Sequence, residues 1–154
     1  MYLDSAILVK LLVREADSEW FDRHLAGYSL DTSELALTEV RSALLAKERN
    51  GNISAAERLA AQERFRSLVE DKTVQLLALN RNVLERASEI QLACHPRVAL
   101  RALDALHVAT CELNRCRPMC ATDARMRAAC TQLAIALFPP SMEQIGYART
   151  PPTA

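Results

Sequence analysis

The sequence predicts a three-layer α/β/α fold, with helices on both faces of a central parallel sheet of short strands. Three observations point to it. Short apolar runs alternate with helical stretches in the order β-α-α-β-α-α-β-α-α-β-α-β. Two of those runs stop at an aspartate, Asp4 and Asp123, that opens the next helix. One helix, over residues 98–112, is apolar on nearly every side and so belongs inside a domain.

Residues 1–3 form a short apolar strand, and residues 5–12 a helix with Ile7, Leu8, Leu11 and Leu12 in one stripe. Asp4 then stands on the carboxyl rim of the sheet, where open α/β sheets bind ligands. A plain helix N-cap would use the same residue. A second helix, 18–26, buries Trp20, Phe21 and Leu25. A strand at 28–31 leads into a helix over 33–50 closed by Gly51. Ala36, Glu39, Ala43 and Ala46 share one face of it, so Glu39 is the only charge among small residues.

Ser54 and Glu57 form a capping box for a helix to about residue 70, with Leu59, Phe65, Leu68 and Val69 inward. A strand over 73–79 precedes a helix capped by Asn80 or Asn82, which carries Val83, Leu84, Ala87 and Ile90 and ends at Pro96. In the apolar helix that follows, Arg101, Asp104, His107 and Thr110 are the only polar residues between 99 and 111. A strand at 119–122 stops at Asp123, a helix covers 124–130, and a last strand covers 134–138. Residues 1–140 read as one domain and 141–154 as a tail or packed arm.

Nineteen basic residues balance nineteen acidic ones, so no global basic field draws the chain to nucleic acid. Sixteen of the basic residues are Arg, a bias that genomic base composition also produces. Five cysteines, an opening without a signal-peptide pattern and no long apolar run predict a cytoplasmic chain with free thiols and no membrane span.

Asp104 needs a partner on its apolar helix. Arg101 or His107, each one turn away, would serve. So would a cation shared with other carboxylates. If Asp4, Glu39, Asp104 and Asp123 meet at the rim they repel, and a divalent cation removes that penalty. An all-oxygen set favours Mg2+ or Mn2+ over Zn2+ and suits phosphodiester hydrolysis. His107, Cys111, Cys116 and Cys120 lack the paired spacing of structural zinc, and His107 is expected to hydrogen-bond within the core or to Asp104.

Four stretches, 2–12, 33–44, 100–110 and 121–126, together resemble the PIN-domain ribonucleases, most closely the VapC-type toxins of bacterial toxin–antitoxin pairs. The resemblance implies a Mg2+- or Mn2+-dependent endoribonuclease with Asp4, Glu39, Asp104 and Asp123 as metal-binding, catalytic acids. It gives Ser5, Ser33, Arg101 and Thr122 supporting hydrogen bonds or phosphate contacts. It also implies an RNA substrate, a homodimer and a small antitoxin that covers the site. The chain departs from the pattern at Ala6 and Ala121, where a hydroxyl is usual, and at Leu133, where Gly is usual before the last strand. Two other readings stay open here: a catalytically silent PIN-like binding partner, and a signalling module with Asp4 or Asp123 as phosphoacceptor.

Overall fold

The computed structural model describes residues 1–146. Five short runs pair as parallel strands in the order β3-β2-β1-β4-β5. They are β1 (Tyr2–Leu3), β2 (Leu30–Ser33), β3 (Val74–Leu77), β4 (Met119–Cys120) and β5 (Leu137–Phe138). Between them run α1 (Ser5–Leu12), α2 (Ser18–Leu25), α3 (Ala36–Arg49), α4 (Ala55–Glu70), α5 (Arg81–Cys94), α6 (Ala102–Leu113) and α7 (Ala124–Gln132).

Strand alternation builds the layers. In β1, Leu3 joins a core with Ile7, Phe21, Val40, Leu44 and Phe65, from the α1–α4 side. Its neighbour Tyr2 joins the opposite core with Ile90, Val108 and Met126, from the α5–α7 side. Cys120 and Met119 of β4 divide between the two cores in the same way. Strand order reverses between β1 and β4, and the crevice beyond the carboxyl ends at such a reversal is where open α/β sheets bind ligands. Asp4 directly follows β1, and Asp123 lies just past β4. The order of elements matches the sequence expectation throughout.

Boundaries moved where pairing overrode local pattern. The second strand is 30–33 rather than 28–31, because Leu30 to Ser33 lie in register with Val74 to Leu77. Thr32 also donates its hydroxyl to the Leu3 carbonyl at 2.8 Å. The following helix therefore starts at Ala36 instead of Ser33. The apolar helix begins at Ala102, and its Leu103 and Leu113 are nearly half exposed, so one side of it reaches the surface.

Leu59 and Leu84, expected inward, are 57% and 48% exposed. Ala61 and Phe65 face the core from α4, and Leu59, two residues before Ala61, lies about 200° around the helix. On α5 the buried face is Val83, Ala87, Ile90 and Cys94, which turns Leu84 outward. Before β5, Leu133 caps α7, and the left-handed position that usually asks for Gly is taken by Ala134, at φ 54°.

Of the expected tail, Met142–Ile145 form a 3-10 turn whose Ile145 packs on the α1–α4 core. Residues 147–154 lie outside the described residues. No described helix is long and apolar enough to cross a membrane.

Candidate active site

Each predicted acid sits at a helix start. Asp4 caps α1, its Oδ1 accepting from the Ile7 N–H at 2.8 Å, and it is only 3% exposed. Burial pushes its carboxyl up to about 6; the charges of Glu39 and Asp123 push the same way, and the Ile7 N–H and His107 oppose them. Asp123 caps α7, with Oδ1 accepting from the N–H groups of Arg125 and Met126, both at 2.9 Å. Asp104 lies in the first turn of α6. Burial, then the Asp123 charge, raises its carboxyl, and its Oδ2 is buried with no hydrogen-bond partner among the described residues. Glu39 lies in the first turn of α3.

The fields of these acids overlap: Asp4 feels Glu39 and Asp123, and Asp104 feels Asp123. The fold thus gathers all four into one electrostatic neighbourhood. It does not close them into a cage: among the described residues, no three His, Cys, Asp or Glu side chains stand in the geometry of a metal site. The reason is visible in their hydrogen bonds. Asp4 and Asp123 use one oxygen each as a helix cap, and Glu39 is held by side chains. The donor set nonetheless fits a hard divalent cation. It is all oxygen, and Oδ2 of Asp104 is buried with no hydrogen bond among the described residues to compete with one.

His107 hydrogen-bonds within the core, one of the two expectations for it, rather than to Asp104, and it also reaches Glu39. Its Nε2 meets Glu39 Oε2 at 2.6 Å, and its Nδ1 meets the Tyr2 hydroxyl at 2.7 Å. Ser5 donates its hydroxyl to the same Glu39 oxygen at 2.6 Å. Burial alone would raise the Glu39 carboxyl, but the bonds from His107 and Ser5 outweigh it and hold the group below its usual range. Tyr2 was not among the sequence candidates; it reads as an ordinary strand residue, and its partner is 105 positions away.

The other candidates divide. Ser5 joins the acids, and Thr122 lines the adjoining groove. Arg101 precedes α6; its charge stabilises ionised Asp104, but no ion pair joins them among the described residues. Ser33 is fully buried, its hydroxyl accepting the Leu35 N–H at 3.2 Å, which makes it a turn residue out of reach of a substrate.

The groove, about 550 Å3, runs between α1 and α3. Ser5 and Glu39, at the amino ends of those helices, line one end. Lys10 and Lys47, toward the carboxyl ends, line the other. Lys10 pairs with Glu15 and Asp17, each at 2.8 Å, and Lys47 pairs with Glu15 at 2.6 Å. All five cysteines are free; burial pushes the thiols of Cys111 and Cys130 up to about 12, too high for ready thiolate chemistry.

Comparison with known proteins agrees with this architecture. The family model for the PIN domain matches residues 1–131. Ribonuclease VapC46 of Mycobacterium tuberculosis is 33% identical over 147 residues, which is 92% of this chain and 98% of that protein. The solved structure of VapC20 from Mycobacterium tuberculosis, a sarcin-ricin loop cleaving toxin, superposes with a TM-score of 0.65 at 20% identity. It covers 83% of this chain and 93% of its own. A toxin–antitoxin complex from Klebsiella pneumoniae gives a TM-score of 0.61 at 14% identity, over 91% of this chain and 97% of that one. The two structures speak for the fold; the family model and the ribonuclease span nearly the whole sequence, and by them the chain belongs to the PIN-domain family.

Proposed function

We propose that this PIN domain is an endoribonuclease, the toxin of a type II toxin–antitoxin pair, working with Mg2+ or Mn2+ held by Asp4, Asp104 and Asp123 with Glu39. Endoribonuclease activity follows from the family and from the ribonuclease relative. The metal rests on one observation: an acidic rim in which Asp104 Oδ2 is buried without a partner beside an Asp4 carboxyl forced up to about 6. A divalent cation there would neutralise the crowded carboxylates, polarise the scissile phosphate and acidify water for attack.

The chain's own residues prepare that chemistry. Backbone N–H groups hold Oδ1 of Asp4 and of Asp123, while Oδ2 of each accepts no hydrogen bond among the described residues. Ser5 and His107 fix Glu39. Arg101 supplies positive charge beside Asp104 for an RNA phosphate, and Thr122 offers a hydroxyl at the groove wall. A small antitoxin covering the site, a homodimer, and the cytoplasm as compartment complete the reading. The antitoxin is supported by the toxin–antitoxin complex among the structural relatives and the compartment by five unpaired thiols, while the homodimer rests on the family resemblance alone.

The test is cleavage of structured RNA in Mg2+, with and without EDTA, by the purified chain and by Asp104→Asn. Chelation should abolish cleavage, and the substitution should slow it by about 10²–10³-fold. Cleavage that survives either change would sink the metal mechanism. No cleavage, with a phosphoryl group accepted from acetyl phosphate, would favour the signalling module instead.

A further inference from the structure

We infer that His107, held in place by Tyr2, is the positioning residue for Glu39. The inference rests on the proposed role of Glu39 at the cation and goes beyond it, because it says why this flexible glutamate would be ready for one.

The geometry is a buried chain of side chains crossing the sheet. Tyr2 is fully buried on β1, His107 is 2% exposed on α6, and Glu39 is half-buried on α3. The Tyr2 and His107 rings meet edge to face, with centroids 5.8 Å apart. Both imidazole nitrogens are engaged, one by the phenol and one by the carboxylate. The Tyr2 hydroxyl and Nδ1 share one hydrogen bond that fixes the ring's orientation. On the other side of the ring the Glu39 carboxylate can only accept, so Nε2–H donates to it. Glu39 Oε2 therefore receives two donors, His107 and Ser5, while Oε1 accepts none among the described residues. A carboxylate pinned at one oxygen loses its rotational freedom and keeps the other oxygen for a ligand.

A histidine buried only for packing would need no particular partner. This one joins the strand that ends at Asp4 to the helix that carries Glu39, while sitting one turn beyond Asp104 on α6. Three of the four acids are thus registered against one another through a single imidazole. Partners of this kind set the affinity of the ligand they orient, typically by tenfold to a hundredfold.

The experiment measures Mn2+ affinity by calorimetry, and kcat and KM on a short RNA, for the full chain and five variants. His107→Leu should weaken Mn2+ binding about tenfold to a hundredfold, as Glu39→Gln does. His107→Gln, which keeps an N–H donor, should stay within about threefold of the wild type. Tyr2→Phe keeps the ring and its packing, should weaken binding several-fold, and carries the test if His107→Leu does not fold. The double variant His107→Leu with Glu39→Gln should bind no worse than Glu39→Gln alone, since one residue acts through the other. Wild-type affinity in Tyr2→Phe and His107→Leu, or losses that multiply in the double variant, would overturn the inference. Unchanged affinity in Glu39→Gln would instead remove the proposed role of Glu39, and the inference with it.

Discussion

The two ends of the groove between α1 and α3 solve the same electrostatic problem in opposite ways. At the lysine end, Lys10 lies between Glu15 and Asp17, and Lys47 takes the other oxygen of Glu15. Two cations face two anions, and the chain supplies both. Burial works against each charge there, yet the hydrogen bonds between them win: Lys10 is held above its usual range and Glu15 below it. At the other end, four carboxylates share a rim with one imidazole and, beyond the nearby Arg101 charge, no ion-paired Lys or Arg among the described residues, and Asp4 is driven up rather than down. The charges of the first end are paired by the chain, although Oδ2 of Asp17 has no hydrogen-bond partner among the described residues; the carboxylates of the second form no ion pair with Lys or Arg there. The same two helices run through both ends, and Glu15 ties Lys10 of α1 to Lys47 of α3 in a clamp at the first.

The sharpest way to break this comparison is to remove the clamp. Lys10→Met leaves Asp17 buried without a cation and Glu15 with Lys47 alone, and breaking a buried pair from one side costs about 3–5 kcal/mol. Urea unfolding of the metal-free protein measures it. A loss below about 1 kcal/mol would mean that the lysine end is a solvated surface and not a clamp.

The next largest effect is on pH, where the two ends carry opposite signs. Asp4 has a folded value near 6 and an unfolded value near 4, so the folded chain holds its proton more tightly. Its contribution is fully present below about pH 4 and is lost as pH rises through about 6, an amplitude of roughly 3 kcal/mol. Glu15, held low, contributes stability at neutral pH that is lost as pH falls through its folded value. Asp4→Asn keeps the helix cap and should flatten the first slope, leaving the metal-free protein more stable than the wild type at pH 7.5. A wild-type profile identical to that of Asp4→Asn between pH 4 and 7.5 would contradict the crowded rim.

Metal should then restore at one end what the lysines already supply at the other. At a hundred times its dissociation constant, Mn2+ would add about 2.7 kcal/mol of stability by mass action. The gain should shrink in Asp4→Asn and Asp104→Asn and persist in Lys47→Gln. Melting curves with and without Mn2+ decide it.

These two ends were not equally legible in the sequence. Asp4 and Asp123 announced themselves through a local rule, a strand that stops at an acid and turns into a helix. Asp104 stood out as an unpaired charge in an apolar helix, and Glu39 as the lone charge among small residues. Each of those signals lies within one helix turn of the residue it marks. The bond from His107 to Glu39 spans 68 positions, and no local spacing encodes it. The lysine clamp escaped for a similar reason: Lys10 reads as the polar side of α1, and only the fold of the following loop returns Glu15 and Asp17 to it. The same limit governs the fold. Element order followed from periodicity, whereas the start of α3 was set by the ladder that Thr32 and Ser33 form with β3. The exposure of Leu59 and Leu84 depended on which sector of each helix met the core.

The smallest expected effect separates the inner and outer members of the clamp. Lys47 is about a quarter exposed and, among the described residues, forms an ion pair with Glu15 alone, which keeps Lys10 when Lys47 is removed. Lys47→Gln should therefore cost no more than about 1 kcal/mol, the value of a partly solvated pair. It should also leave Mn2+ affinity within about twofold, because neither lysine belongs to the acidic rim. A larger stability loss than that of Lys10→Met would reverse the assignment of inner and outer members. A loss of Mn2+ affinity would mean that the spacing of α1 and α3 is set at the outer pair, with the acids held in register from the far end of the groove.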